Sequence, residues 1–297
     1  MPHASRDHQW DIDTHLLTPE GCLWTNLGAW RPPRTILKSS LTPTSFELFP
    51  PTKDYPQACQ NLAMLTGHAA GLKSGMRILE LACGYGAGID LWIKHFGVLS
   101  VDVLDIRPYC ISAIQSRNPP GLGLCLTGSA DDLGRFVTPQ GPLVPKSYDA
   151  ILCVDAAYHF GRLSEVLAAA SLLLKPEAPL VWTSLLAQDQ PIKKEFSLFQ
   201  KYILGLAGIP LSAILSREEL EAQLSPTSLT IETLITLNDE VLGGFAVHIE
   251  RRSQEIGLKA KLSPAWWKIR GTAMAATHLC RTEWLHYALV AARGGLS

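Results

Sequence analysis

The segment Glu80-Leu-Ala-Cys-Gly84-Tyr-Gly86-Ala-Gly88 constrains this chain more than any other. It lies between a short apolar run, MRILEL at 76–81, and Ile89, Trp92, Ile93 and Phe96 at helical spacing, so a strand turns into a helix through a glycine loop. Glycines at such a turn let the backbone take positive φ and approach a ligand closely. A dinucleotide fingerprint requires G-x-G-x-x-G/A. Here the third glycine, Gly88, falls one place early and Ile89 holds the required position.

The same alternation continues on the carboxyl side. VLSVDVLDI (98–106) reads as a strand, Pro108 to about Arg117 as a helix, GLCLTG (123–128) as a weak strand and YDAILCVD (148–155) as another. Leu163, Val166, Leu167, Ala170 and Leu174 form one helical stripe, followed by the strand PLVWTSLL (179–186). Strands separated by single helices predict parallel pairing through crossovers, hence a doubly wound α/β sheet. The first 56 residues read as an irregular arm with one or two short helices, and a helix runs from Tyr55 to near Gly71. After 186 the spacing predicts helices over 192–207 and 217–224 and a strand over 228–237. A helical segment through Leu242, Phe245, Ala246 and Ile249, a helix over 264–281 and a closing strand over 284–292 complete the chain.

Composition narrows the function classes. Of the 297 residues 47% are hydrophobic and 18% charged, enough apolar material for a large core, and the formal net charge is −1 with no run of like charges. Counterion release on a polyanion therefore lacks its usual footprint, and a nucleic-acid partner is not expected. No uncharged apolar stretch reaches the roughly 18–20 residues of a membrane span, and MPHASRDHQWDID lacks the apolar core of a secretory signal. Seven scattered cysteines without C-x-x-C read as buried reduced thiols of a cytoplasmic protein, and no ligand cluster suggests a metal.

Two carboxylates then choose the ligand. Glu80 ends the first strand just before the glycine loop, where it would repel a pyrophosphate and attract a cation. Asp105, 25 residues on, ends the second strand, where a carboxylate can accept ribose hydroxyls. S-adenosylmethionine, a phosphate-free sulfonium, meets both requirements. Glu80, Gly84, Gly86 and Gly88 resemble the first motif of the class I S-adenosylmethionine-dependent methyltransferases, an acidic residue followed by x-x-x-G-x-G-x-G. VLDIRP is similar to the family's ribose segment, with Asp105 on the sugar and Ile106 against the adenine. Gly128-Ser129-Ala130-Asp131-Asp132-Leu133 resembles the family's G-D-A-x-x-L, with Ser129 in place of the usual Asp and Asp131 able to substitute.

Asp155-Ala-Ala-Tyr158-His159-Phe160 is similar to the E-x-x-x-H-M type segment of the small-molecule, natural-product branch, and Asn26-Leu-Gly-Ala-Trp30 to the segment that branch folds over its cofactor. The resemblance implies a seven-stranded Rossmann-like methyltransferase sheet with helical lid insertions. Residues 1–56 would be an arm or lid, 57–186 the cofactor-binding core and 187–297 the remaining core strands with the substrate lid, together one catalytic domain. The cofactor residues it implies are Glu80, Cys83, Gly84, Gly86, Gly88, Asp105, Ile106, Ser129, Ala130, Asp131 and Asp155. His159, with Tyr158 beside it, would lie at the accepting atom as general base or orienter. The expected partner is a small organic acceptor. Phe196, Leu198, Phe199, Tyr202, Ile203 and Leu206 point to one that is apolar or aromatic. A nicotinamide-dependent oxidoreductase and a catalytically silent binding subunit are the alternatives.

Overall fold

The computed structural model describes residues 13–33, 49–138, 140–188 and 196–294. Its sheet contains β1 (Arg77–Leu81), β2 (Ser100–Asp105), β3 (Leu122–Thr127), β4 (Ala150–Cys153), β5 (Pro179–Ala187), β6 (Leu229–Thr236) and β7 (Leu285–Gly294). Their spatial order is β3-β2-β1-β4-β5-β7-β6. The first five strands pair in parallel, as expected of strands joined by crossovers. The order reverses between β1 and β4, and at such a switch point a crevice opens beyond the carboxyl ends of the strands.

These strands are apolar on both sides because helices cover both faces. Ile78, Val101 and Leu152 pack toward α2 (Tyr55–Ala69), α3 (Ala87–Phe96) and α4 (Pro108–Arg117) through Leu62, Trp92 and Ile111. Leu79, Leu104 and Ile151 pack on the opposite side toward α5 (Leu163–Leu173) and α7 (Arg217–Leu224) through Leu167, Leu173 and Leu220. The helix bounds follow local chemistry. Asp54 caps α2 by accepting the Gln57 N–H, and α4 keeps its expected limits because Pro108 suits the first turn and Asn118 stops it at φ 44°.

Several sequence expectations change. β7, whose direction the pattern after 186 does not set, runs antiparallel to both β5 and β6, so the sheet is mixed. The stretch between β6 and β7 returns the chain beside the sheet without a crossover to a parallel neighbour. β4 ends at Cys153, two residues early, because Asp155 at φ 57° turns the chain out of extended geometry. The helix expected over 192–207 begins at Leu198 as α6 (Leu198–Leu206), where Ser197 and Gln200 form a capping box; 192–195 lie outside the described residues. The helix through Phe245 starts as a π-helical turn, Asn238–Gly243, and continues as α8 (Gly244–Glu255). The arm contains α1 (Thr14–Leu17), while 1–12 and 34–48 lie outside the described residues. Between α8 and β7 come α9 (Leu258–Lys261) and α10 (Pro264–Thr282), the latter capped by Ser263.

Candidate active site

A cavity of about 400 Å³ occupies the crevice at the strand tips. Ala82 after β1, Asp105 to Arg107 at the end of β2, Gly128 to Asp131 after β3 and Val154 to Ala156 after β4 form its floor. Leu242, Phe245, Lys268, Ile269 and Thr272 cover it from the insertion before β7, and Thr25, Asn26 and Leu27 close another side. The arm is held in place by its own polar groups. The Asn26 side chain donates to the Cys59 carbonyl and accepts the Gly28 N–H, while the Tyr55 hydroxyl donates to the Asn26 carbonyl.

Asp155 joins three distant parts of the chain. Its carboxylate accepts the Leu27 N–H at 2.5 Å, the Tyr158 hydroxyl at 2.8 Å and the Tyr287 hydroxyl at 2.6 Å, so arm, β4 loop and β7 meet on one side chain. Its own N–H donates to Thr183 Oγ1 at 2.7 Å. Burial raises its pKa to about 6, opposed by the hydrogen bonds from Tyr287, Tyr158 and Leu27. It therefore carries negative charge at neutral pH beside the cavity. Its left-handed backbone, φ 57° in a non-glycine residue, is the kind of strain retained at functional positions.

Asp105 also lines the cavity and is deeply buried. Its carboxylate accepts the Gly84 N–H at 2.7 Å, the Arg107 N–H at 3.0 Å, and Arg107 Nε and Nη2 at 2.9 and 3.2 Å. The backbone donors fix the carboxylate, and the guanidinium is the side-chain partner that a ligand hydroxyl would exchange with or join. Ile106, next to it, projects an aliphatic side chain that is 56% exposed into the same space, a surface suited to a flat ring.

Glu80 has a different setting from the one its sequence position suggests. It shares the Ile78 side of β1, where its carboxylate accepts Trp92 Nε1 at 2.9 Å beneath the glycine loop, and it does not line the cavity. Burial, with the Asp105 charge adding to it and the Trp92 bond opposing it, raises its pKa to about 7. Gly88 is required above it, since a Cβ there would stand 2.6 Å from Glu80 Oε1. Cys83, Gly84, Gly86 and Gly88 are likewise absent from the cavity lining, although Gly84 supplies the N–H that fixes Asp105. Ser129 lines the cavity and caps the 3₁₀ turn Ala130–Phe136 by accepting the Asp131 N–H. Asp131 accepts the N–H groups of Gly161 and Arg162, both at 3.0 Å, which anchors the segment after His159.

His159 and Tyr158 stand on the 3₁₀ turn Ala157–His159 and both line the cavity. A carbonyl can only accept, so the 3.2 Å contact from His159 Nδ1 to the Gly208 carbonyl puts the proton on Nδ1 and the lone pair on Nε2. Burial lowers the pKa to about 4, the Gly208 bond opposes this and the Lys268 charge adds to it, so the imidazole is neutral at physiological pH. Tyr158 is bound to Asp155 and burial pushes its phenol well above its ordinary value, which suits positioning rather than proton transfer.

The sequence reading missed Arg107, Lys268, Thr272 and Tyr287. Arg107 was findable, because a guanidinium two residues after a strand-end Asp is within reach of it. Conversely, Leu198 and Tyr202 of α6 are largely exposed and away from the cavity, Phe196 packs against Trp284, and the side chains of Phe199 and Leu206 lie outside the described residues. Among the described residues of that region Ala207 and Ile209 line the cavity, and α10 provides most of the cover. Among the described residues no group of His, Cys, Asp or Glu could hold a metal ion, and no helix is long and apolar enough to cross a membrane.

No protein-family model matches this chain. It is 34% identical over 125 residues to a probable phthiotriol/phenolphthiotriol dimycocerosates methyltransferase 2 of Mycobacterium ulcerans, a match covering 41% of this chain and 45% of that protein. Matches of this kind span about half the length of the curated relatives or less. A more extended likeness, 22% identity over 84% of this chain and 76% of the relative, is to an erythromycin 3''-O-methyltransferase of Saccharopolyspora erythraea. Among solved structures, a cyclopropane synthase of Mycobacterium tuberculosis superposes with TM-score 0.66 at 18% identity, covering 98% of both chains. The chain is thus similar over part of its length to proteins named as methyltransferases, and it shares its fold with the solved structure. In this chain the carboxylates at the ends of β2 and β4, rather than the one at the end of β1, face the cavity.

The lining side chains fit S-adenosylmethionine by charge and shape. Asp155 presents negative charge to a cation-bearing ligand, Asp105, whose charge Arg107 balances, offers oxygens to a sugar, and Ile106 offers an apolar face to a base. The glycine loop, which would cradle a pyrophosphate, stands off the cavity.

Proposed function

We propose that this protein transfers a methyl group from S-adenosylmethionine to a small organic acceptor. The observation that carries the reading is the pair of carboxylates, buried Asp105 and half-buried Asp155, on either side of the switch point and facing one roofed cavity. The names of the sequence relatives, methyltransferases acting on phthiotriol dimycocerosates and on erythromycin, support the same class of reaction. When bound, the cofactor supplies a methyl group on a sulfonium that becomes neutral as it leaves.

The chain's residues then have to orient, desolvate and handle one proton. Asp105 and Ile106 hold the nucleoside end, with Ser129, Ala130 and Asp131 along its edge, and Asp155 favours the cationic end. Glu80 and the loop Cys83, Gly84, Gly86 and Gly88 act one layer below by shaping the backbone that fixes Asp105. His159 presents the Nε2 lone pair to the acceptor. With a pKa near 4 it is a weak base, so it orients a hydroxyl or amine and takes its proton as the new bond forms, instead of ionising it beforehand.

The lid side chains Leu242, Phe245 and Ile269 favour an apolar acceptor. Residues 57–186 would carry the cofactor and 187–297 the lid, as one catalytic unit. The near-zero net charge supports a small molecule over a nucleic acid, and the seven free cysteines support a reducing, cytoplasmic setting. Titration calorimetry with S-adenosylmethionine and S-adenosylhomocysteine, followed by a radiolabelled methyl-transfer screen over phenols, alcohols and amines, tests the reading. Saturable binding of both and transfer to an acceptor are expected. Absence of affinity for either, or saturable binding of NAD(P) instead, would overturn it.

A further inference from the structure

We propose that the α9–α10 edge of the lid docks on an anionic lipid bilayer and presents the cavity mouth to the membrane surface. The stretch from 256 to 282 contains Lys259, Lys261, Lys268, Arg270 and Arg281 and no Asp or Glu, in a chain whose formal net charge is −1. The same stretch exposes large apolar side chains: Leu258 at 72%, Leu262 at 66%, Trp267 at 63% and Met274 at 68%. Scattered apolar residues on a surface need no explanation, but a concentration of this kind set among uniformly positive charges does.

The helical geometry joins the patch to the cavity. Along α10, Trp266, Ile269 and Ala273 are buried. Lys268, Thr272 and Ala275 line the cavity, and Trp267, Gly271 and Met274, at i, i+4 and i+7, form the adjacent exposed stripe. Each residue advances about 100° around a helix, so the exposed stripe borders the stripe that lines the cavity. Before it, Leu-Lys-Ala-Lys-Leu at 258–262 sets two exposed leucines either side of two lysines. Nearby acids do not neutralise this charge from within the stretch, and Glu255, just upstream, is paired with Arg251 and Arg252.

Indole and aliphatic tips that enter the headgroup boundary, together with lysines that meet anionic headgroups, are the two signals that hold a peripheral protein on a bilayer. The edge is the exposed side of α10 together with α9 before it, which a deformable, negatively charged surface accommodates. An apolar acceptor dissolved in the bilayer would then reach the cavity from the lipid side. The inference goes beyond the methyl-transfer reading, and it is measured without turnover.

The test is flotation of the full-length protein with phosphatidylcholine vesicles, with and without phosphatidylglycerol, at low and high salt. Binding to the anionic vesicles is expected to be at least about tenfold stronger and to weaken with salt. Replacing Leu258, Leu262 and Trp267 with Ser should abolish flotation. Lys259→Glu with Lys261→Glu should remove the preference for anionic vesicles. Unchanged circular dichroism and melting would confirm that both variants fold. No flotation of the wild-type protein, equal binding to both vesicle types, or a serine variant that floats like the wild type would overturn the proposal. A dimer that dissociates on the serine substitutions without any vesicle binding would also overturn it and assign the patch to a second copy of the chain.

Discussion

Replacing Glu80 with Gln is expected to change how stability depends on pH, and the size of the change follows from the burial of this side chain. In the folded protein Glu80 is 5% exposed, and burial raises its pKa from 4.5 to about 7. Below pH 4.5 both the folded and the unfolded chain hold the proton, so the residue contributes no pH dependence. Between 4.5 and 7 the unfolded chain has released the proton while the folded chain keeps it. Stability is therefore lost as pH rises through this window, at about 1.4 kcal/mol per pH unit, or about 3 kcal/mol in all. Gln cannot titrate, and its side-chain carbonyl can still accept the Trp92 Nε1 bond seen at 2.9 Å.

The measurement is urea unfolding of both proteins at pH 4 and pH 8. Comparing the variant-minus-wild-type difference at the two values removes the fixed cost of the substitution and the titration of every other group common to both. The variant should gain about 3 kcal/mol on the wild type between pH 4 and pH 8. Parallel curves would mean that Glu80 titrates in the fold as it does in water, and the account of a desolvated carboxyl beneath the loop would be wrong.

Gly88→Ala places a methyl 2.6 Å from Glu80 Oε1 and 2.8 Å from Trp92 Nε1, so an overpacking loss of about 1–3 kcal/mol is expected in thermal melting. Asp105→Asn should weaken S-adenosylhomocysteine binding by about 1.5–3 kcal/mol in calorimetry, whereas Arg107→Met should lower the melting temperature without weakening that binding. A loss of affinity in the arginine variant would show that the guanidinium belongs to the ligand site. His159→Ala should reduce turnover about 10²-fold with cofactor affinity unchanged, read from single-turnover rates beside calorimetry. Asp155 is ionised above about pH 6, so affinity for the cationic donor should fall as pH is lowered through that value. Equal affinity at pH 5 and pH 8 would remove its electrostatic role.

Much of the first half of this fold is legible locally. The limits of α4 are written in Pro108 and Asn118, and the loop before α3 in Gly86 and Gly88. β1 to β5 read correctly because each is a short apolar run between a turn and a helical stripe. The direction of β7 was not legible, because its neighbours β5 and β6 are chosen across an insertion that includes three helices. Within the expected lid, 187–297, the side chains taken to face the acceptor were those around α6, whereas α10 covers the cavity, for a related reason. An amphipathic pattern shows that a helix has an apolar face but not which cavity that face covers, and α6 and α10 look alike by that measure.

The site divides in the same way. Asp105, Ile106, Ser129, Ala130, Asp131, Asp155, Tyr158 and His159 could be put at strand ends from sequence, and all of them line one cavity. Glu80 is also at a strand end, yet the two-residue alternation of β1 turns it toward Trp92 with Ile78. Tyr287, 132 residues from Asp155, meets it only because β7 inserts beside β5. The chain by itself determined where strands stop and which charges stand at their tips, since glycine, proline and apolar periodicity act over a few residues. Which of those charges face the ligand, and what covers them, was decided by the tertiary structure, because side-chain direction and lid docking depend on packing between segments far apart in sequence.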